Sequence, residues 1–192
     1  MIRMGDAGSR PQGMPSGSLH PGLGSAQPLR VRSMTPADLD EVMRHEVEIY
    51  DFPWTRGNFS DSLVAGYDAW CFIDEADRLA GYSVLMWSPD EVHLLNLSVV
   101  RARQGRGQGE WSLRWIADDV HRRGATALLL EVRPSNTRAM QLYDRVGLQR
   151  IGVRRGYYPF FAGRREDAIV MRCSLPLPAP GIIWPHGSRH GG

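Results

Sequence analysis

A run with three closely spaced glycines sets the strongest constraint on how this chain folds. Gly105, Gly107 and Gly109 lie between an apolar segment that ends at Val99 and a helical pattern that begins near Gly109. Glycine permits left-handed backbone conformations, so this stretch can curl with its N–H groups pointing inward at a helix N-terminus, where the helix dipole favours an anion. The run therefore predicts a phosphate or pyrophosphate site, although a plain strand-to-helix turn can have the same composition.

The elements around the loop indicate a mixed sheet. Three strand-like runs precede it, at residues 70–73, 81–87 and 92–99, and the short polar turns between them predict antiparallel hairpins. This arrangement disfavours a Rossmann loop. After the loop, a helix that ends at Gly124 leads into a buried strand at 128–130, and such a strand–helix–strand unit makes the sheet parallel at this point.

The remaining pattern completes one domain with a tail at each end. Helices are expected after the caps Thr35 and Thr55 and before Gly147, with further strands at 29–33, 148–153 and 168–173. We therefore expect an α/β domain with a mixed sheet over residues 29–175, with antiparallel strands in its N-terminal half and a strand–helix–strand anion-binding half. The Gly-, Pro- and Ser-rich segment 1–28 and the Pro- and Gly-rich segment 176–192 are expected to be disordered.

Composition and charge exclude several classes of protein. The 23 basic and 21 acidic residues give a net charge of +2, which argues against a nucleic-acid-binding domain. Every basic residue is arginine, so a Schiff-base lysine and a P-loop lysine are both excluded. Cys71 and Cys173 lie in apolar strands without metal-ligand spacing, and no apolar run is long enough for a membrane helix. We expect a cytoplasmic protein with no metal and no membrane contact.

Two residues in the second half have side chains suited to proton transfer. Glu131 is a carboxylate within the otherwise apolar strand 128–132, where it is desolvated, partnered or functional, unless it simply reaches solvent at the strand end. Tyr143 lies on the apolar face of its helix, as a core aromatic residue would. Its phenol is protonated at neutral pH and can therefore donate a proton to a thiolate.

The glycine run itself, from Gln104 to Gly109, resembles the pyrophosphate loop of the GCN5-related N-acetyltransferase (GNAT) family. Further segments in the same order are similar to the RimI-type branch of that family, which acetylates the N-terminal alanine of a ribosomal protein. These segments are Phe52–Trp54, Leu130–Asn136, Ala139–Leu148, Arg154–Pro159 and Glu166–Met171. The resemblance covers nearly all of residues 29–175 and implies the mixed-sheet GNAT fold, with acetyl-CoA bound in the strand–helix–strand half.

The resemblance also implies a reaction and a set of site residues. It assigns Glu131 as the general base and Tyr143 as the general acid in acetyl transfer from acetyl-CoA to an amine. Tyr157 and Tyr158 are expected to contact the acceptor, the N-terminus of a small-subunit ribosomal protein that begins with alanine. The residues implied to bind the coenzyme are Leu97, Ser98, Val99, Gln104, Gly105, Arg106, Gly107, Gln108, Gly109, Glu110 and Asn136.

Two departures from the family pattern bear on these assignments. Glu110 stands where relatives often have a basic residue, and Arg101, Arg103 and Arg106 are expected to compensate its charge. Gly156 replaces a larger polar residue next to the acceptor segment. Two alternatives therefore stay open at this stage: an acetyltransferase for a small amine or a lysine side chain, and a noncatalytic coenzyme-binding module.

Overall fold

A computed structural model describes residues 29–179; the predicted tail 1–28 and most of the predicted tail 176–192 lie outside the described residues. Seven strands form one sheet in the order β1-β2-β3-β4-β5-β7-β6, and four α-helices accompany it. The strands are β1 (Arg30–Ser33), β2 (Asp68–Ile73), β3 (Leu79–Trp87), β4 (Glu91–Val99), β5 (Ala127–Val132), β6 (Gln149–Pro159) and β7 (Arg165–Ser174). The helices are α1 (Leu39–Ile49), α2 (Arg56–Val64), α3 (Gln108–Arg122) and α4 (Thr137–Val146).

Strand direction confirms the predicted mixed sheet. Strands β1 to β4 pair in antiparallel fashion, β4 pairs with β5 in parallel, and β7 pairs in antiparallel fashion with both β5 and β6. The parallel pair is bridged by α3, because a parallel connection has to cross over one face of the sheet. The α/β fold with a strand–helix–strand half is therefore as expected.

Each face of the sheet carries its own helix pair and its own apolar core. Helices α1 and α2 cover one face through Leu39, Val42 and Phe59. Helices α3 and α4 cover the opposite face, and Ile116 and Val146 are among their fully buried side chains. The sequence patterns that place apolar residues three and four positions apart on these helices produce this division.

Helix ends follow the residues that the sequence offers for capping. The Thr55 hydroxyl accepts a hydrogen bond from the Asn58 N–H and so caps α2, and the first turn after Thr35 is a 3₁₀ turn, Pro36–Asp38, ahead of α1. Gly147 ends α4 with a φ of 104°, a left-handed conformation that suits glycine.

The pairing between β4 and β5 is short, and this opens the sheet. Among the described residues, β4 pairs with β5 only from Glu91 to Leu94, opposite Ala127–Leu130. A bulge follows at once on β4, because Val84 pairs with Asn96 while Leu85 pairs with Leu94, which leaves Leu95 as the extra residue. Beyond Leu94 the second half of β4 therefore faces a gap beside the end of β5, which is called the cleft below.

Strand β6 is longer than the sequence pattern predicted. It continues from Gln149 to Pro159 instead of ending at Val153, so Tyr157 and Tyr158 lie on a strand and not on a loop. The register shifts between Arg154 and Tyr158, where Gly156 adopts a φ of 57°, and Tyr158 then pairs with Glu166 on β7. This bulge interrupts the alternation of apolar and polar side chains, which is why the strand could not be followed through the Arg-Arg-Gly segment.

Contacts also extend past the predicted domain end at Leu175. Leu177 packs against the core on the α3 and α4 side, and the guanidinium of Arg114 donates to the carbonyl of Pro178 at 2.8 Å. The short segment 176–178 is therefore held to the domain. No helix within residues 29–179 is long and apolar enough to cross a membrane.

Candidate active site

The two predicted proton-transfer residues belong to opposite faces of the sheet. Leu130 and Val132 point into the α3 and α4 core, so strand alternation directs Glu131 to the α1 and α2 face. Tyr143 packs from α4 against the α3 and α4 core, and its phenol interacts electrostatically with that of Tyr50, the residue that ends α1. Burial raises the pKa of Tyr143, which keeps the phenol protonated at neutral pH.

The Glu131 carboxylate is enclosed, so it is not a strand-end residue that simply reaches solvent. Its side chain is 10% exposed, and its Oε1 lies 2.9 Å from Nε of Arg154 and 3.9 Å from Nε2 of His93. The contact with Arg154 is an ion pair without hydrogen-bond geometry, and Oε1 has no hydrogen-bond partner among the described residues. Burial and the nearby Glu131 carboxylate raise the pKa of Tyr157.

The structure requires glycine at each of the three positions of the predicted anion loop, but for different reasons. Gly105 and Gly107 adopt φ angles of 80° and 78°, and Gly107 is the N-cap of α3. At Gly109 an added Cβ would lie 3.3 Å from Cδ2 of Leu142, so glycine lets α3 approach α4 closely. The N–H groups of the first turn of α3 have no acceptor within the helix, so they are available to an anion.

Two side chains fasten this loop to its surroundings. Gln104 donates from Nε2 to the carbonyl of Val99 at 3.0 Å, and its Oε1 accepts from the guanidinium of Arg138 at 3.3 Å. Arg138 lies in the first turn of α4, beside Gly105, and was not among the residues predicted from the sequence. Its position two residues after the helix cap Asn136 is the sequence signal that could have identified it. Asn136 itself caps α4 by accepting from the Ala139 N–H at 3.1 Å.

The charge around the loop is arranged differently from the prediction. Arg103 is ion-paired with the buried carboxylate of Asp74, so it does not offset the charge of Glu110 as expected. Arg114 does so instead, because its Nε lies 3.0 Å from Oε1 of Glu110, one helical turn further along α3. An acidic residue at the loop is thus neutralised within its own helix.

Aromatic and cationic side chains border the cleft on the α1 and α2 face. The ring of Phe52, in the segment between α1 and α2, lies 5.1 Å from the ring of Phe161, which follows β6. The guanidinium of Arg133 stacks over Tyr158 at 4.2 Å and over Phe52 at 5.2 Å. Arg133 follows Glu131 by two residues, and strand alternation could have predicted that both belong to this face. These residues are called the acceptor rim below.

A buried polar network surrounds Glu46 on α1. Glu46 on α1 is 1% exposed; its Oε1 accepts from the Trp54 N–H at 2.9 Å and its Oε2 from the Tyr82 hydroxyl at 2.6 Å. Burial raises the pKa of Glu46. The hydroxyls of Tyr50 and Ser98 are 2.9 Å apart in the same region. The sequence carried a signal for Glu46, because it continues the apolar face of α1.

The structure brings the remaining predicted coenzyme residues to the cleft. Leu97, Ser98 and Val99 form the part of β4 that lies beyond the pairing with β5. The Ser98 side chain points to the α1 and α2 face, so its backbone is the part left for a ligand in the cleft. Within residues 29–179 no group of three or more His, Cys, Asp or Glu side chains could hold a metal ion.

Comparison with known proteins gives consistent matches. Residues 39–148 match the acetyltransferase (GNAT) family. The [ribosomal protein bS18]-alanine N-acetyltransferase of Haemophilus ducreyi is 31% identical over 145 residues, which is 76% of this chain and 99% of that protein. The Escherichia coli K12 protein of the same name is 32% identical over 147 residues, 77% of this chain and 97% of that protein.

Solved structures extend the match to the fold. The crystal structure of the ribosomal-protein-S18-alanine N-acetyltransferase from Escherichia coli superposes with a TM-score of 0.69 at 29% identity, covering 80% of this chain and 98% of that chain. The Arabidopsis thaliana NAA60 structure in complex with acetyl-CoA shares the fold, with a TM-score of 0.64 at 17% identity, covering 77% of this chain and 98% of that chain.

Proposed function

Since this chain belongs to the acetyltransferase (GNAT) family, we propose that it transfers the acetyl group of acetyl-CoA to the N-terminal alanine of ribosomal protein bS18. The names of the relatives support this acceptor. The structural observation that carries the proposal is the placement of Glu131 and Tyr143 on opposite faces of the sheet, in a domain whose glycine loop leads into the N-terminus of α3.

The residues that hold the coenzyme follow from the shape of the loop and of β4. The N–H groups of Gln108, Gly109 and Glu110 bind the pyrophosphate at the positive end of α3. Backbone groups of Leu97–Val99 pair with the amides of the pantetheine arm as an additional strand would. Asn136 contributes its side-chain amide nitrogen, because its Oδ1 already caps α4. Bound acetyl-CoA supplies an acetyl thioester.

The two cleft residues then move the protons that acetyl transfer requires. Glu131 takes a proton from the attacking amine, so that a carbon–nitrogen bond forms while the carbon–sulfur bond breaks. Tyr143 gives its phenolic proton to the leaving sulfur, since its raised pKa keeps it protonated until then. Positioned proton transfer of this kind contributes about 10²–10⁴-fold to turnover.

An α-amine is the acceptor that this chemistry favours. Its pKa is about 7.7–8.0, against about 10.4 for a lysine side chain, so a single carboxylate base near neutral pH deprotonates it far more easily. Tyr157 and Tyr158 face the acceptor on β6, and the acceptor rim closes the same side of the cleft around an extended peptide.

Peptide acetylation followed by mass spectrometry tests the acceptor. The substrates are the N-terminal peptide of bS18, the same peptide with a blocked terminus and an internal lysine, and a small polyamine. We expect acetylation of the alanine α-nitrogen at a kcat/KM at least about 10²-fold above the other two, in line with the pKa difference between the amines. Preferred modification of the blocked peptide or the polyamine overturns the proposal.

Two variants test the roles of Glu131 and Tyr143. Glu131→Gln lowers turnover most near neutral pH and recovers at high pH, where the amine loses its proton unaided. Tyr143→Phe lowers kcat by about 10²–10⁴-fold with coenzyme affinity retained. A constant ratio to wild type across pH contradicts the base assignment, and a fully active Tyr143→Phe variant contradicts the acid assignment.

A further inference from the structure

The carboxylate assigned as the base is held by an arginine from another strand. Arg154 on β6 places its Nε 2.9 Å from Oε1 of Glu131 on β5. Strand β7 lies between them: Glu131 is opposite Val170, whereas Arg154 is opposite Ala168. The guanidinium therefore reaches diagonally across a whole strand to a side chain that is itself almost fully buried.

The same arginine also lies next to solvent and an aromatic ring. Its side chain is 54% exposed, and its guanidinium lies 5.6 Å from the centre of the Tyr157 ring. A guanidinium on an aromatic face is stabilised by about 0.5–1 kcal/mol at an exposed site. Arg154 can therefore leave Oε1 without losing either its hydration or its ring contact.

The other titratable groups that face Glu131 are uncharged near neutral pH. Burial lowers the pKa of His93, from β4, so its imidazole is neutral there. Burial and the Glu131 charge raise the pKa values of Tyr157 and Tyr158, so both phenols keep their protons. Arg133, on the same face, is paired with Glu166 at 3.3 Å. Arg154 is thus the cation paired with Glu131 among the described residues.

A guanidinium at this distance opposes the task of a base. Arg154 occupies Oε1, the atom that has to accept the proton, so this oxygen is not free for the acceptor while Arg154 is in place. A substrate that arrives as an ammonium ion carries the same charge as Arg154, and it can replace Arg154 at Oε1 without leaving the carboxylate unpaired.

We propose that Arg154 is a positioning residue that holds the Glu131 carboxylate in place in the free enzyme, and that the α-ammonium group of the acceptor displaces it from Oε1. Once Arg154 has moved onto Tyr157, an N–H bond of the ammonium breaks as the O–H bond on Glu131 forms, which leaves a neutral amine. Because one cation replaces another at Oε1, this step favours acceptors whose terminal amine arrives protonated. This inference rests on the proposed role of Glu131 as the base.

Separate values of kcat and KM for the alanine peptide distinguish this role from simple support of the fold. In Arg154→Met no cation has to be displaced from Oε1, so the KM for the peptide falls several-fold, while kcat decreases because the carboxylate is no longer held in place. Arg154→Lys restores most of the wild-type values because it keeps the charge. Arg150→Met, which alters an exposed arginine on the same strand, leaves both constants unchanged, and calorimetry shows wild-type coenzyme affinity in all three variants.

A direct measurement follows the arginine itself. The ¹⁵N resonance of Arg154 Nε, assigned by its loss in Arg154→Lys, shifts when the alanine peptide is added and stays in place with the blocked peptide. An unchanged peptide KM in Arg154→Met, or a resonance that does not respond to the free α-ammonium, overturns the proposal. If Glu131→Gln keeps wild-type turnover near neutral pH, the base assignment fails instead, and the peptide preference described above shows separately whether the chain acetylates N-terminal alanine.

Discussion

The carboxylate of Asp74, in the turn after β2, is ion-paired with the guanidinium of Arg103, in the turn that leads from β4 to the anion loop. Asp74 also accepts hydrogen bonds from the backbone N–H groups of Ala76 and Arg78. The side chain thus organises its own turn and at the same time anchors the approach to the loop. Arg103 is consequently held by Asp74 at the start of the anion loop.

Asp74→Asn should weaken coenzyme binding although Asp74 lies outside the loop. The amide keeps an acceptor for the turn but loses the charge that holds Arg103, and we expect calorimetry to show a Kd for coenzyme A raised about three- to tenfold, or roughly 1 kcal/mol. Asp77→Asn is the matched control, because Asp77 is in the same turn and pairs with exposed Arg30. Equal effects of both variants would contradict the anchoring role.

Gly107→Val should abolish coenzyme binding in a protein that remains folded. Valine at a φ of 78° is strained, and it alters the backbone whose N–H groups are proposed to bind the pyrophosphate. Gly66→Val provides a matched control, because Gly66 has a φ of 76° with nothing within 4 Å of an added Cβ. Both variants should lose stability of the order of 1–2 kcal/mol in urea unfolding. Unchanged coenzyme affinity in folded Gly107→Val would remove the binding loop from the proposal.

Arg138→Met should reduce coenzyme affinity about tenfold, because it removes a cation that reaches over Gly105 and contacts Gln104. The loss should shrink as ionic strength rises, since salt screens the phosphate charge. Arg145→Met, at the other end of α4, is the control and should bind as wild type does. Equal calorimetric affinities for both variants would leave Arg138 as a packing residue only.

The ion pair between Arg32 and Asp38 predicts a pH-dependent stability. The Arg32 guanidinium lowers the pKa of Asp38 to about 2, so the pair stabilises the fold fully above the unfolded pKa and loses its effect as pH falls from about 4 towards 2. Because the pair is partly exposed, we expect Asp38→Asn to cost about 1 kcal/mol at pH 7.

Urea unfolding at pH 7, 4 and 3 checks this dependence. The difference between wild type and Asp38→Asn should narrow at the lowest pH, whereas Asp40→Asn, which alters a more exposed pair with Arg56, should stay within about 0.5 kcal/mol of wild type throughout. A difference that persists undiminished at pH 3 would assign the effect of Asp38 to helix capping alone.

Two truncations test where the domain ends. A chain of residues 29–179 should melt at the temperature of the full chain, because the predicted tail 1–28 offers nothing to bury. A chain that stops at Leu175 should melt several degrees lower, at roughly 2–4 °C per kcal/mol lost, because buried Arg114 loses the carbonyl of Pro178. Identical melting temperatures for the two truncations would show that the Arg114 contact adds no stability.

Local patterns were sufficient for most of the fold. The 3.6-residue period of Leu113, Ile116 and Val120 predicted α3, and Gly124 marked its end. Hairpins followed from short polar turns, and the glycine run marked the connection between β4 and α3. Each of these signals lies within one segment of the chain, where hydrophobic periodicity and turn chemistry act directly.

Contacts between distant segments could not be predicted in the same way. Arg103 meets Asp74 across 29 residues of sequence, and nothing near either residue indicates the other. The bulge at Gly156 hid the second half of β6, so the approach of Arg154 to Glu131 was equally invisible. Glu46 was recognisable as a charge on an apolar helix face, but its partners, Tyr82 and Trp54, depend on the packing of α1 against β3.

The extra residue Leu95 sets the face of the sheet to which each later side chain of β4 points. Leu94 packs into the α3 and α4 core, Leu95 and Asn96 turn to the other face, and Leu97 returns to the first. Without the bulge, regular alternation from Leu94 would place Leu97 on the α1 and α2 face and Ser98 on the opposite one. The bulge therefore determines which side chains of this half of β4 enter each core.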